Sequence, residues 1–354
     1  MKVSAAFALG ALLLTACSST LNMHGKRFDL RAPGPNCPPT DTHVANAVEV
    51  RYLGSGGVLI RWKGESIVVG PFFSNHGFPR AAAGRANPDA DRVAHEMRRF
   101  RHDDVRAILA GHSHYDHLGD VALIAGKHLR HVPVYANKAG ELMLRNRIPD
   151  VRSYEGRGEI RVTPFIRFRA YRHGHAPQFC LIGKHLCFDY ARGPVTDVWR
   201  TWDGRRLYDL RGGEAHAFVI DLMNGNDDDD VAFRIYYNDA AASATTDLPD
   251  KKHAYDLAIL CVPGSAYVHH YPDKLIDHLR PRHVLVSHYE SFFSKHDSSW
   301  TFAPGLRSYQ VRRFLDTIEP HTGRDGAPKN AVCGMTTEQW TLAVPRSQLF
   351  FTAR

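Results

Sequence analysis

Long hydrophobic runs are almost absent from this chain of 354 residues. None of its apolar runs reaches the roughly 20 residues that a membrane-spanning helix needs. Cysteine is scarce, with six residues, which excludes the disulfide-dense scaffolds of small secreted proteins. Hydrophobic residues make up 44% and charged residues 23%, so the chain can bury a core and is neither disordered nor collagen-like. The net charge of +8 forms no basic stripe with interleaved aromatics, so no nucleic-acid partner is expected.

Histidine is the residue that the chain has in abundance, with 22 copies. Imidazole is the commonest metal ligand in proteins and titrates near physiological pH. The composition therefore favours an enzyme that binds metal ions or transfers protons. It does not indicate an oligomeric state.

The N-terminus has the pattern of an export signal. Lys2 gives a positive start, and the apolar run from Ala5 to Leu14 is too short to span a bilayer, which takes about 20 residues. The stretch that ends at Cys17 resembles the lipobox of bacterial lipoproteins. We therefore predict an exported protein whose lipidated Cys17 anchors it in the membrane. The non-acidic Ser18 favours the outer membrane, facing the periplasm.

The sequence divides into three segments. Residues 1–16 are predicted to be the cleaved signal peptide, and the Pro-rich residues 17–46 a tether. Residues 47–354 read as one α/β domain, in which sheets are covered by helices. Predicted strands cover residues 48–52, 58–62, 66–69, 105–110, 160–170, 179–182, 185–188, 218–222, 233–237, 257–262 and 283–286, and predicted helices cover 91–100, 273–279 and 306–315.

The remaining cysteines allow two disulfide bonds. Cys180 and Cys187 flank a predicted hairpin and could face each other, and Cys37 and Cys333 could join the two ends of the chain. Cys261 lies in an apolar run and is expected to be a buried free thiol.

The segment after the predicted strand 105–110 contains the candidate metal ligands. It contains the pattern His112-x-His114-x-Asp116-His117. Two histidines two residues apart on extended chain can turn toward one point, and the Asp-His pair that follows can serve a second point nearby. Imidazole and carboxylate together suit zinc, with manganese and iron as alternatives.

This motif resembles the signature of the metallo-β-lactamase-fold hydrolases. The stretch 52–57 and the pair Pro71-Phe72 are similar to the opening of the lactonase-like and N-acylphosphatidylethanolamine phospholipase D-like branches, although Gly70 stands where lactonase-like relatives often have an acidic residue. The resemblance, over roughly residues 48–300, implies a four-layer αββα sandwich of two mixed β-sheets flanked by helices, with two divalent metal ions at one edge of the sheets.

The resemblance also implies the remaining ligands. A third histidine is expected after the long strand; we favour His175, because the glycine before it frees the loop, and His173 is the alternative. Asp239 is expected to bridge the two ions, with Asn238 where the family usually has glycine, and His288 to complete the set. The implied ligands are His112, His114 and His175 for the first ion, Asp116, His117 and His288 for the second, and Asp239 for both.

Two such ions, with zinc favoured, imply a hydrolase that uses a metal-bridging hydroxide; Asp116 and Asp239 are expected to orient this hydroxide and to accept the proton of the water from which it forms. Export and basic charge favour phosphodiester or lipid-derived ester bonds at the cell envelope, hence a small-molecule or lipid ester as substrate. The alternatives are a lactonase acting on a cyclic ester, a non-catalytic metal-binding envelope lipoprotein and a two-iron redox enzyme.

Overall fold

The computed structural model describes residues 20–23, 26–29, 46–82, 86–177, 179–181, 186–188, 212–242, 247–294, 302–303, 306–322, 326–329, 333–335 and 339–354. The strands are β1 Thr20–Met23, β2 Lys26–Asp29, β3 Ala47–Gly54, β4 Gly57–Trp62, β5 Glu65–Val69, β6 Val105–Leu109, β7 Val134–Ala136, β8 Val151–Ser153, β9 Glu159–Thr163, β10 Ile166–His173, β11 Phe179–Leu181, β12 Leu186–Phe188, β13 Ala215–Met223, β14 Val231–Asn238, β15 Leu257–Cys261, β16 His283–Ser287, β17 Gly326–Lys329, β18 Cys333–Met335, β19 Trp340–Ala343 and β20 Gln348–Thr352.

The helices are shorter and lie between the strands. They are α1 Phe78–Ala82, α2 Ala90–Met97, α3 Tyr115–Leu118, α4 Val121–Leu123, α5 Lys138–Leu144, α6 Asp273–Leu279 and α7 Ser308–Thr322, with a π-helical turn at Ile124–His128 and a 3₁₀ turn at Ser265–Tyr267. No helix in the described ranges is long and apolar enough to cross a membrane.

Most of the described strands form two mixed sheets of eight strands each. The first has the order β18-β20-β3-β4-β5-β6-β7-β8 and the second β17-β19-β16-β15-β14-β13-β10-β9. In the second sheet, β9, β10, β13 and β14 are antiparallel and the remaining strands are parallel. In the first sheet, β20, β3, β4 and β5 are antiparallel, and β5 to β8 and the edge pair β18–β20 are parallel. Parallel neighbours need crossover connections, and helices of this fold fill that role.

Three hydrophobic cores show how the layers stack. The central core joins the inner faces of the two sheets, with Val50 and Ile60 from the first sheet and Phe218 and Ile235 from the second. A second core lies between the outer face of the second sheet and helices α6 and α7. A third lies between the first sheet and helices α2 to α5. The predicted four-layer αββα sandwich is therefore confirmed.

The sequence prediction differs from the structure in several places, and strands β7 and β8 and helices α1 and α5 were not predicted. The long strand over 160–170 is two strands, β9 and β10, which turn back on each other at Pro164, a residue without a backbone N–H for the ladder. The four C-terminal strands were not predicted, and β20 pairs with β3, so both ends of the domain lie in one sheet. A hairpin of β1 and β2 lies within the predicted tether, whose linker role stays a prediction.

One of the three predictions about cysteines is confirmed, and the two disulfide bonds stay predictions. Cys261 is a buried free thiol, as expected. The backbones of Cys180 and Cys187 are directly paired across β11 and β12, which is the register that the predicted disulfide needs, and the bond itself stays a prediction. Cys37 lies outside the described residues, so its pairing with Cys333 also stays a prediction.

Candidate metal centre

Three histidines from two different strand ends form the first group of potential ligands. His112 and His114 lie in the loop after β6, and His175 lies two residues after the end of β10. One nitrogen atom from each ring lies within 4.8 Å of the other two. The ring centres are 4.5 Å apart for His112 and His114, 4.7 Å for His114 and His175, and 5.0 Å for His112 and His175.

A carboxylate and two histidines form the second group. Asp116 and His117 lie on α3, and His288 directly follows β16. The Nε2 atom of His288 is 3.0 Å from Asp116 Oδ2 and 3.2 Å from His117 Nε2, and His117 Nε2 is 3.5 Å from Asp116 Oδ2. All three residues are buried.

Asp239 lies between the two groups. It directly follows β14, and its carboxylate contacts one histidine of each group. Oδ1 is 3.1 Å from His112 Nδ1, and Oδ2 is 3.5 Å from His117 Nδ1. This is the position that a bridging ligand needs. The structure thus brings together all seven residues that the resemblance implied.

His173, the alternative to His175, joins neither group. Its Nδ1 atom turns back to the carbonyl oxygen of Gly174. His216, near the start of β13, supplies no ligand atom to the groups either: its ring packs edge-on against Tyr154, and its backbone N–H donates to the carbonyl oxygen of Gly111.

Unsatisfied polar atoms at this site fit bound cations. His117 Nδ1 and Asp239 Oδ2 lie 3.5 Å apart, and both are buried without a hydrogen-bond partner. Leaving such atoms unpaired is costly, and most buried polar atoms in proteins have a partner. Imidazole nitrogens and carboxylate oxygens are a donor set that suits zinc, manganese or iron. The residues present therefore fit two divalent cations.

Burial keeps most of these imidazoles neutral, which is the form that binds metal. Desolvation lowers the pKa values of His112 and His114 well below the ordinary value, and lowers the pKa of His117 to about 3. Burial alone would lower the pKa of His288 as well, but its hydrogen bond and charge interaction with Asp116 raise it. Burial alone would raise the pKa of Asp116, but His117 and His288 lower it, so this carboxylate is ionised at neutral pH.

Glycines let the backbone approach these ligands closely. A Cβ atom on Gly111 would lie 2.8 Å from both carboxylate oxygens of Asp239 and from the carbonyl oxygen of His216. At Gly70, where φ is +55°, a Cβ atom would lie 3.3 Å from His117 Nδ1. Gly70, the departure from the lactonase-like pattern, therefore borders the second group.

Sequence reasoning missed one set of residues beside His288. The backbone N–H of His288 donates to the hydroxyl of Tyr52 at 2.7 Å, and that hydroxyl donates to Glu290 Oε1 at 2.5 Å. The backbone N–H of Ser55 donates to the same carboxylate oxygen. The only sequence signal is an acidic residue two positions after a ligand, which by itself is too common to interpret.

Models of known families and curated proteins give no match to this chain. Several solved structures are similar at low identity. A metallo hydrolase from the archaeon Ignicoccus hospitalis is 12% identical, with 86% of this chain and 98% of that chain covered and a TM-score of 0.49. A metallo-β-lactamase fold protein from Bacillus subtilis is 11% identical, covering 86% and 99%, with a TM-score of 0.47. A diiron β-hydroxylase from Streptomyces venezuelae is 13% identical, covering 85% and 54%, with a TM-score of 0.47.

The layers and the positions of the candidate ligands define the architecture of the molecule. Two mixed sheets pack face to face between outer helices. The candidate ligands follow strand ends at one edge, in the chain order that the motif implies. The chain therefore has the four-layer αββα sandwich that the resemblance to the metallo-β-lactamase-fold hydrolases implied.

Proposed function

We propose that this chain is a metal-dependent hydrolase that binds two divalent cations, with zinc as the favoured metal, and hydrolyses phosphodiester or lipid-derived ester bonds. One observation carries the proposal: seven candidate ligand side chains from four separate stretches of sequence converge, with buried nitrogen and oxygen atoms left unpaired between them. His112, His114 and His175 would hold one cation, Asp116, His117 and His288 the other, and Asp239 both. Two such cations, when bound, supply Lewis acidity and lower the pKa of water.

The protein's own groups then have distinct tasks. Asp116 is ionised at neutral pH, so its carboxylate accepts hydrogen bonds and orients a water molecule or a hydroxyl group of the substrate. Asp239 fixes the relative positions of His112 and His117 from a buried strand end. His114 and His175 are only half buried, so we place the approach of the substrate on their side.

A pair of aromatic rings beside the second group supports a substrate with an apolar part. The Phe292 ring lies 6.1 Å from the His288 ring and 4.4 Å from the Phe293 ring, measured between ring centres. Both phenylalanines are half buried, and the side chain of Asn75 donates to the carbonyl oxygen of Phe292 at 3.3 Å. The two rings pack against the third core, and their unburied parts give apolar surface beside the second group, which favours binding of an acyl or lipid chain.

The test is a substrate panel on the zinc-loaded protein without its leader. The panel contains bis-p-nitrophenyl phosphate, a phospholipid, p-nitrophenyl esters of short and long acyl chains, and lactones. We expect hydrolysis of phosphodiesters or long-chain esters, reduced more than about 100-fold in Asp116→Ala. The control Tyr309→Ala changes an exposed ring on α7 and should leave the rate unchanged. Hydrolysis of lactones alone would favour the lactonase, and bound metal without turnover the non-catalytic lipoprotein.

We also propose that the protein is exported and lipid-anchored in the bacterial envelope through Cys17. The support is the sequence alone, since residues 1–19 lie outside the described part of the chain. Labelling cells with an alkyne fatty acid should mark the wild-type protein and not Cys17→Ser, and the variant should leave the membrane fraction. Equal labelling of the two proteins would contradict the anchor.

A further inference from the structure

Glu290 is a buried acid with an unusual environment. Its side chain is completely buried, yet none of the described lysine or arginine side chains forms an ion pair with it. One carboxylate oxygen, Oε2, has no hydrogen-bond partner. Burying a carboxylate in this way is costly unless something nearby compensates for it. Glu290 lies two residues after His288, a candidate ligand of the second group.

The other carboxylate oxygen has two well-defined partners. Oε1 accepts hydrogen bonds from the Tyr52 hydroxyl and from the backbone N–H of Ser55. Both donors belong to the end of β3 and the turn that follows it, in the first sheet. Glu290 follows β16, in the second sheet. The contact therefore joins the two sheets at the edge where the ligands gather.

The Tyr52 hydroxyl links this contact to the ligand. It accepts a hydrogen bond from the backbone N–H of His288 at 2.7 Å while it donates to Glu290. His288 has a φ of +61°, a backbone conformation that few residues other than glycine adopt. Such a conformation persists only where neighbouring contacts fix it. Gly56, in the same turn, leaves room for the ring: its Cβ would lie 3.2 Å from His288 Cδ2.

From this arrangement we infer that Tyr52 and Glu290 are positioning residues, which set the backbone and ring of His288 for the second cation. The inference rests on the proposed function. Tyr52 and Glu290 touch neither ligand atoms nor substrate, and act through the backbone of His288. They leave the first group unaffected, because His112, His114 and His175 come from other loops.

Metal titration of the whole chain tests this role. Zinc binding to each of the two sites is measured by competition with a chromogenic chelator, and cobalt-substituted protein gives an absorption spectrum that reports the ligand geometry. We expect Tyr52→Phe and Glu290→Ala to weaken the second ion about 10- to 100-fold, with the first ion unchanged, and to alter the cobalt spectrum. Turnover should fall in kcat more than in KM.

Two further variants separate positioning from general stability. Glu290→Gln keeps an oxygen that can accept from Tyr52 and Ser55, so it should restore most of the second-ion affinity. Tyr255→Phe removes another buried phenol, at the start of β15 and the opposite end of the second sheet, and should leave both affinities unchanged. If Glu290→Ala does not fold, Tyr52→Phe alone tests the positioning role, because it removes a single oxygen atom.

Each outcome has one meaning. Folded variants that bind both ions with wild-type affinity would overturn the positioning role while the proposed function stands. Equal loss of both ions would overturn it as well, since it would indicate a general structural effect. Wild-type protein that binds no divalent metal would contradict the proposed function together with this inference.

Discussion

Gly111 illustrates how the packing of the candidate metal centre depends on a single backbone position. It lies between β6 and the first ligand, and the Asp239 carboxylate packs directly against its Cα. A residue with a side chain would occupy the space of the bridging carboxylate. The glycine is therefore required by a close approach to Asp239.

We predict that Gly111→Ala destabilises the protein by about 1–3 kcal/mol, because an added methyl group overpacks the site. It should also weaken the binding of both ions, since Asp239 contacts both groups. Gly126→Ala is the matched control: a Cβ there meets nothing within 4 Å, and the change should be neutral or slightly stabilising. Urea unfolding and zinc stoichiometry measure the two effects, and unchanged metal binding in Gly111→Ala would contradict the prediction.

The buried histidines predict how the metal-free protein responds to acid. The pKa of His117 is lowered to about 3 by burial, and the pKa values of His112 and His114 are lowered too, from an ordinary value of 6.5. The unfolded chain then binds more protons than the folded one below pH 6.5, so stability falls as the pH decreases from 6.5 toward 3. His288, whose pKa is raised, contributes stability that is already complete below pH 6.5 and is lost at higher pH.

We therefore expect the free energy of unfolding of chelator-treated protein to decrease between pH 6.5 and pH 4. His117→Gln, which removes one of these groups, should make the decrease shallower. Urea titrations at several pH values test this, and a free energy that stays constant or increases over that range would be inconsistent with neutral buried imidazoles.

At the level of elements, the candidate ligands and a cluster of stabilising ion pairs lie at opposite ends of the strands. The ligands follow the ends of β6, β10, β14 and β16. At the opposite end of the first sheet, Arg61 forms buried ion pairs with Glu49 at 2.5 Å and with Asp104 at 2.7 Å. This cluster holds β3, β4 and the start of β6 together far from the ligands.

Arg61→Met should destabilise the protein by about 3–5 kcal/mol, because the buried Asp104 loses its counterion and the buried Glu49 keeps only Arg51, at 3.6 Å. It should leave the number of bound ions and the substrate preference unchanged. Chemical denaturation and metal analysis of the same preparation give both quantities. Loss of metal from a variant that is still folded would show that the two ends of the sheet are coupled.

Across the whole molecule, the candidate ligands tie the two sheets together. Four come from the loop and helix after β6 in the first sheet, and three follow strands of the second sheet. Cations bound there would cross-link the halves of the sandwich in the folded state only. Ligands that bind only the folded state stabilise it by mass action.

Removal of metal should therefore lower the melting temperature, and added zinc should restore it. At a free zinc concentration of 100 times Kd, each site contributes about 2.7 kcal/mol. Asp239→Ala, which removes the bridging carboxylate, should respond weakly to both treatments. Scanning calorimetry with and without chelator measures this, and a melting temperature that is insensitive to chelator would argue against ions between the sheets.

The amino-acid sequence by itself determined the local features. Alternating apolar residues placed most strands of the two sheets, and the four ligands His112, His114, Asp116 and His117 were recognisable because they lie within six residues of one another. His175, Asp239 and His288 were found only because the resemblance supplied their order along the chain.

Only the tertiary structure decided which distant residues meet. His175 rather than His173 lies with His112 and His114, and the spacing of the two histidines does not decide between them. The C-terminal strand joins β3 across almost the whole chain, and Tyr52 reaches Glu290 across 238 positions. Such contacts depend on how sheets pack and twist against each other, which short-range periodicity does not specify.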